Sequence, residues 1–134
     1  MGAGTERIFL YGTLRRGGTR DVLRHYGGAE FIGEARVRGV LHDFLDYPGL
    51  RLSADDVWVR GELFAVTAET LARLDEWEGI DPATPDDGDY RRVRLIVELD
   101  GAPQECWGYE ARLEKVADRP VIESGDWIAH SSQR

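Results

Sequence analysis

Two hydrophobic periods divide the 134-residue chain. Several short stretches alternate or run apolar in the manner of strands, and one stretch repeats at helical spacing. RIFLY (7–11) is an apolar run rich in β-formers and predicts a short buried strand. VWVRGELFAV (57–66) alternates: Val57, Val59, Leu63 and Ala65 share one face, while Arg60 and Glu62 fall on the other with Trp58 and Phe64. Apolar bulk on both faces suits a strand of a barrel or a covered sheet. YRRVRLIVEL (90–99) alternates again, and Asp100-Gly101 is a hairpin signal into PQECWGYEA (103–111). AEFIGEARVRGVLHDF (29–44) reads as extended chain, with Gly33 and Gly39 marking a bulge or a bend. LDYPGL (45–50) reads as a turn built on Pro48-Gly49.

The strongest helix is TAETLARLDEWEG (67–79), with Thr67 as N-cap, Glu69 in the first turn and Gly79 as the stop. TRDVLRHY (19–26) predicts a shorter helix, capped by Thr19 and ended by Gly27-Gly28. IDPATPDDGD (80–89) is a polar, acidic loop with two prolines, predicted mobile. The tail beyond Pro120 shows no clear period. Five or six strands, several joined by hairpins, with two short helices predict an α+β fold. The expected form is a curved sheet or small mixed β-barrel, built as one domain over residues 1–134.

Charge narrows the partners. The formal net charge of −8 disfavours nucleic acid and anionic membrane, which both reward a basic surface. Arginines still cluster at 15, 16, 20 and 24 and again at 91, 92 and 94, so a small anionic ligand stays open. The single cysteine, Cys106, allows no intrachain disulfide. MGAGTERIFL lacks the basic start and apolar run of a signal peptide, and no stretch approaches the length that spans a bilayer. A cytoplasmic location is expected.

Candidate chemistry starts from one misplaced charge. On the 67–79 helix, Leu71, Leu74 and position 78 follow the i, i+3, i+7 spacing of a core-facing stripe, and position 78 is Glu78. Asp75 and Glu76 fall off that stripe. A carboxyl on the apolar side of a helix has its pKa raised by desolvation and can exchange a proton near neutral pH. The alternative is that the last turn frays and Glu78 reaches solvent. YGTLRRGG (11–18) places three glycines among eight residues, yet matches neither nucleotide-binding fingerprint. It is either a tight strand-to-helix turn or an anion nest, with the backbone N–H groups of residues 11 to 14 facing a carboxylate or oxyanion. His25, His42, His130 and Cys106 show no metal-ligand spacing, and no serine sits in a GxSxG elbow. Trp58, Trp77, Trp107 and Trp127 are expected mainly in the core.

The order FLYGTLRRGG, RGELFAV, LDEWEG, YRRVRLIV, WGYEA and SGDW resembles the gamma-glutamylcyclotransferase-like superfamily, over residues 7 to 128. Within it the chain is most similar to the AIG2-like, gamma-glutamylamine cyclotransferase branch. The resemblance implies a small mixed barrel with a cavity at one end. It implies cyclisation of a gamma-glutamyl substrate, releasing 5-oxoproline and an amine or amino acid, with no metal or organic cofactor. It makes Glu78 the catalytic acid/base and Tyr11, Gly12, Thr13 and Leu14 the ligand loop. Tyr109 and Tyr90 are its further substrate-binding candidates. In such a reaction the substrate's own α-amino group attacks its γ-carbonyl, so no protein nucleophile is required. Two departures stand out: Gly18-Thr19-Arg20 follows Gly17 where many relatives carry an asparagine, and ten residues, Ile80 to Asp89, separate LDEWEG from YRR. They leave the leaving amine open, and with it the alternative of a module that binds a small ligand without turnover.

Overall fold

The computed structural model of the chain describes residues 6–84 and 87–132. The strands are β1 (Glu6–Leu10), β2 (Ala29–Asp43), β3 (Pro48–Leu52), β4 (Trp58–Val66), β5 (Tyr90–Leu99) and β6 (Ala102–Ala111). The helices are α1 (Val22–His25), α2 (Ala68–Trp77), α3 (Leu113–Val116) and α4 (Trp127–Ser131).

The sheet runs β3-β2-β4-β1-β6-β5, and β5 returns to pair with β2. Five strands therefore close into a small barrel, with β3 added as a hairpin partner of β2. Closure is narrow: Arg36 pairs with Glu98 across the β2–β5 seam, reinforced by their ion pair at 2.9 Å. The β1–β6 pairing is parallel and the others are antiparallel, which makes the barrel mixed.

The alternation seen in the sequence feeds two cores. Phe9, Val37, Leu50, Val59, Leu63, Leu95, Val97 and Cys106 come together from all six strands in one cluster. Ile8, Leu10, Phe64 and Val66 point to the opposite side and pack with Leu71 and Leu74 of α2 and Val22 of α1. This explains why RIFLY has no polar alternation: both faces of β1 are covered. Glu62, on the Phe64 face of β4, is buried as well. Its carboxylate accepts from the Arg16 N–H at 2.8 Å and from Arg16 Nε at 3.3 Å.

The glycines of β2 mark two events. The register shifts between Phe31 and Gly33, a bulge. At Gly39 the strand changes partner from β4 to β3, and a Cβ there would lie 2.8 Å from the Arg51 carbonyl oxygen. The two-residue turn Asp100-Gly101 has both residues at positive φ, 51° and 79°, and fixes the β5–β6 register.

Four expectations are corrected. Pro48-Gly49 is not a turn but the start of β3; the reversal lies just before it, where Phe44 N–H donates to the Tyr47 carbonyl at 3.0 Å. The first helix begins at Val22 and is capped by Asp21, whose carboxylate accepts from Leu23 N–H, rather than by Thr19. Among the described residues four short helices occur in place of two, because the tail folds into α3 and α4. The tryptophans are also less central than expected: only Trp127 is buried, and Trp77 is 47% exposed. The mobility predicted for loop 80–89 falls in part on residues 85–86, outside the described residues. No helix among the described residues is long and apolar enough to cross a membrane.

Candidate active site

The C-terminus of α2 is built to hold one side chain still. Thr67 caps the N-terminus, accepting from Thr70 N–H at 3.1 Å. At the other end Gly79 takes φ +78°, Ile80 N–H donates to the Asp75 carbonyl at 2.9 Å, and Gly79 N–H to that of Glu76 at 3.0 Å. This paired closure is a Schellman motif, and it makes Glu78 the C-cap residue. With Leu71 and Leu74 buried below it, the side chain of Glu78 lines a cavity of about 580 Å³. The last turn does not fray into solvent.

The cavity lies where β1 ends. Its walls include Tyr11, Gly12, Thr13, Leu14, Glu78, Tyr90 and Tyr109, so all seven site residues expected from the sequence and the resemblance surround one space. Asp46, Tyr47 and Pro48 close it from the β2–β3 turn, and Trp77, Gly88 and Asp89 complete the rim.

Burial, first, and the negative charge of Asp75, second, push the Glu78 carboxyl up from 4.5 to about 8. A site at neutral pH thus holds a carboxyl close to its own midpoint. The tyrosine hydroxyls are already engaged. Tyr11 Oη donates to the Tyr109 carbonyl at 2.6 Å and accepts from Leu50 N–H at 3.2 Å, tying the end of β1 to β6 and β3. Tyr90 Oη donates to the Pro48 carbonyl at 2.6 Å. Tyr109 Oη donates to Asp75 Oδ1 at 2.7 Å. Burial pushes all three phenols well above the ordinary tyrosine range, so they remain neutral donors. Their arrangement builds the wall and leaves ligand contacts to the ring faces and the backbone.

The glycine loop is braced from below. Arg20 N–H donates to the Thr13 carbonyl at 2.8 Å and Val22 N–H to that of Leu14 at 2.9 Å. Gly17 sits at φ +81°, and its N–H donates to Asp21 at 3.0 Å. Gly18 is packed so closely on the Thr13 carbonyl that a Cβ would collide with backbone. Arg15 reaches Asp126, the N-cap of α4, at 2.8 Å. Arg16 is held by Glu62 and stacks over Phe31. The loop arginines therefore point away from the cavity and anchor the loop. Among the described residues no acceptor takes the N–H groups of Gly12, Thr13 and Leu14, and all three residues line the cavity.

Asp75 is the residue that sequence reasoning set aside. It accepts from Tyr109 and pairs with Arg92 at 3.4 Å, and Arg92 stacks over Trp107 at 4.3 Å. The signal was present: the Asp100-Gly101 turn sets Arg92 opposite Tyr109, and Asp75 precedes Glu78 by one helical turn.

Residues 8–129 match the family described as gamma-glutamyl cyclotransferase, AIG2-like. A Vibrio cholerae protein provisionally named a gamma-glutamylcyclotransferase is 32% identical over 123 residues, covering 90% of this chain and 93% of that protein. An Arabidopsis thaliana protein with a similar provisional name is 37% identical over 90 residues, 58% of this chain; the match takes in only 46% of that longer protein. The crystal structure of an AIG2-like protein from Mus musculus superposes with a TM-score of 0.69 at 27% identity, covering 88% of this chain and 86% of that one. The chain belongs to the AIG2-like gamma-glutamyl cyclotransferase family.

Proposed function

We propose that the protein is a gamma-glutamyl cyclotransferase, closing the gamma-glutamyl group of its substrate into 5-oxoproline and releasing an amine. The observation that carries this is the placement of Glu78, with its raised pKa, in the same cavity as the open N–H groups of Gly12, Thr13 and Leu14.

The chemistry follows from that pairing. The loop N–H groups bind the substrate's α-carboxylate, which fixes the glutamyl chain in a folded, near-attack shape. Ionised Glu78 takes a proton from the α-ammonium. The freed nitrogen attacks the γ-carbonyl carbon and forms the new C–N bond. The tetrahedral adduct then collapses: the bond to the leaving amine breaks as that nitrogen takes the proton back from Glu78, and the ring nitrogen gives its second proton to the regenerated carboxylate, which passes it to the released amine. One carboxyl serves as base and then as acid, which a midpoint near 8 suits in both directions. No protein nucleophile enters.

The walls also bear on the leaving group. Asp46, Glu78 and Asp89 supply carboxyls, and among the described lining residues there is no lysine or arginine. A leaving group with its own carboxylate meets repulsion there, so gamma-glutamyl amines are favoured over gamma-glutamyl amino acids. The test is a panel of both substrate classes with 5-oxoproline read by mass spectrometry, run beside Glu78→Gln. Product from the wild type and its loss in the variant support the assignment. Equal product from both, or none from any substrate while 5-oxoproline still binds, discards it in favour of a non-catalytic module.

A further inference from the structure

Asp75 lies one turn before Glu78 on α2, and its two oxygens face different partners. Oδ1 accepts the Tyr109 hydroxyl at 2.7 Å, and Oδ2 faces Arg92 Nη1 at 3.4 Å. Arg92 and Tyr109 are cross-strand neighbours of β5 and β6, so one hairpin supplies both. Trp107, two residues earlier on β6, carries the Arg92 guanidinium on its ring at 4.3 Å. The result is a bracket: a hairpin with fixed register grips the helix by a carboxylate at the level of the cavity.

We propose that Asp75 is a positioning residue of this site, which holds Tyr109 against the cavity wall and, gripped by Arg92, sets its charge one turn before Glu78. The proposal rests on the function assigned to Glu78 above, but its physical content is independent of turnover.

The negative charge of Asp75 acts on the Glu78 carboxyl and raises its proton affinity. Asp75 has a guanidinium and a phenol donor as partners. Glu78 has neither: no ion-pair or hydrogen-bond partner of its carboxylate occurs among the described residues. Among the described residues the charged or titratable groups around Glu78 are Asp75 from α2, Tyr11 from the loop after β1, Asp46 and Tyr47 from the turn before β3, Tyr90 from β5, Tyr109 from β6 and Asp89 at the rim. Tyr11, Tyr90 and Tyr109 stay neutral, and Asp89 pairs with Lys115 at 3.5 Å. Asp75 is thus the charge that acts on Glu78, and Arg92 is the counter-charge that tempers it.

Two substitutions pull in opposite directions. Asp75→Asn removes the negative charge while an amide oxygen still receives the Tyr109 hydroxyl. Arg92→Gln removes the positive one and leaves Asp75 unneutralised. With side-chain carboxyls labelled with 13C, the Glu78 resonance is assigned by its loss in Glu78→Gln and titrated by NMR. The Glu78 midpoint falls by roughly one pH unit in Asp75→Asn and rises in Arg92→Gln. A midpoint unmoved in Asp75→Asn, or moved the same way by both substitutions, overturns the proposal. Should Asp75→Asn not fold, a rise in Arg92→Gln supports it, and an unmoved or lowered midpoint overturns it. A protein that shows the opposed shifts yet forms no 5-oxoproline keeps this assignment of Asp75 and loses the catalytic one; turnover with an unmoved midpoint does the reverse.

Discussion

Replacing Glu78 by glutamine should inactivate the protein and stabilise it at the same time. The carboxyl titrates near 4.5 when unfolded and near 8 in the fold, so between those values the native state holds a proton that the unfolded chain has lost. Stability from this group is complete below the lower value and is lost as pH rises to the upper one. At 1.36 kcal/mol per pH unit the full window corresponds to about 5 kcal/mol. Glu78 is partly exposed in its cavity, so water screens the penalty, and a difference of about 1–3 kcal/mol is expected. Glutamine fills the same space without the charge. In thermal melts the variant and the wild type should coincide near pH 5 and separate as pH rises. By pH 8.5 the variant should melt higher by roughly 3–10 °C. Over the same range its catalytic efficiency should be lower by about a hundred- to ten-thousand-fold, the usual worth of a positioned proton-transfer group. Taking the difference between the two proteins cancels every other titrating group. A gap that does not vary with pH would refute the burial of this charge and the raised proton affinity with it.

Four further outcomes follow from the same geometry. The acid limb of the kcat/KM profile should have its midpoint near 8, rising about tenfold per pH unit below it, as ionised Glu78 becomes available. Gly79→Ala forces a Cβ onto φ +78° and should cost about 1–2 kcal/mol in chemical denaturation, with a fall in kcat because the C-cap no longer holds Glu78. Gly18→Ala drives a Cβ into the Thr13 carbonyl; KM should rise by about tenfold or more while far-UV circular dichroism is unchanged, since only the ligand loop is displaced. Asp126→Asn removes the charge that receives Arg15 at 2.8 Å and should destabilise by about 1–3 kcal/mol in urea titration, with a rise in KM through the loosened loop.

The sequence made the barrel legible through its covered strands and its turns. Apolar bulk on both faces of 57–66 announced a strand with two covered sides, and Asp100-Gly101 announced a hairpin whose register the structure keeps. The helix 67–79 was clear because its cap, its stripe and its stop agree, and the same stripe exposed Glu78 as the residue out of place. Periodicity failed where tertiary contacts decide. Pro48 starts a strand because β3 lies at the edge of the sheet, where a missing N–H is tolerated. Alternation puts Glu62 on the Phe64 face but cannot show that the glycine loop folds over that face and offers Arg16 to it. The tail carried no period because α3 and α4 have only four and five residues, too short for a stripe. Asp75 was set aside for a similar reason: helical projection shows the face of α2 that packs, whereas the Asp75 partners arrive from a distant hairpin.

Isotope tracing reaches the central claim most directly. A gamma-glutamyl amine is turned over in water enriched in oxygen-18 by the wild type and by Glu78→Gln, and the products are weighed by mass spectrometry. Attack by the substrate's own nitrogen yields unlabelled 5-oxoproline from the wild type and almost none from the variant. Glutamate carrying one heavy oxygen, or unlabelled 5-oxoproline at the same rate from both proteins, would contradict ring closure driven by this carboxyl.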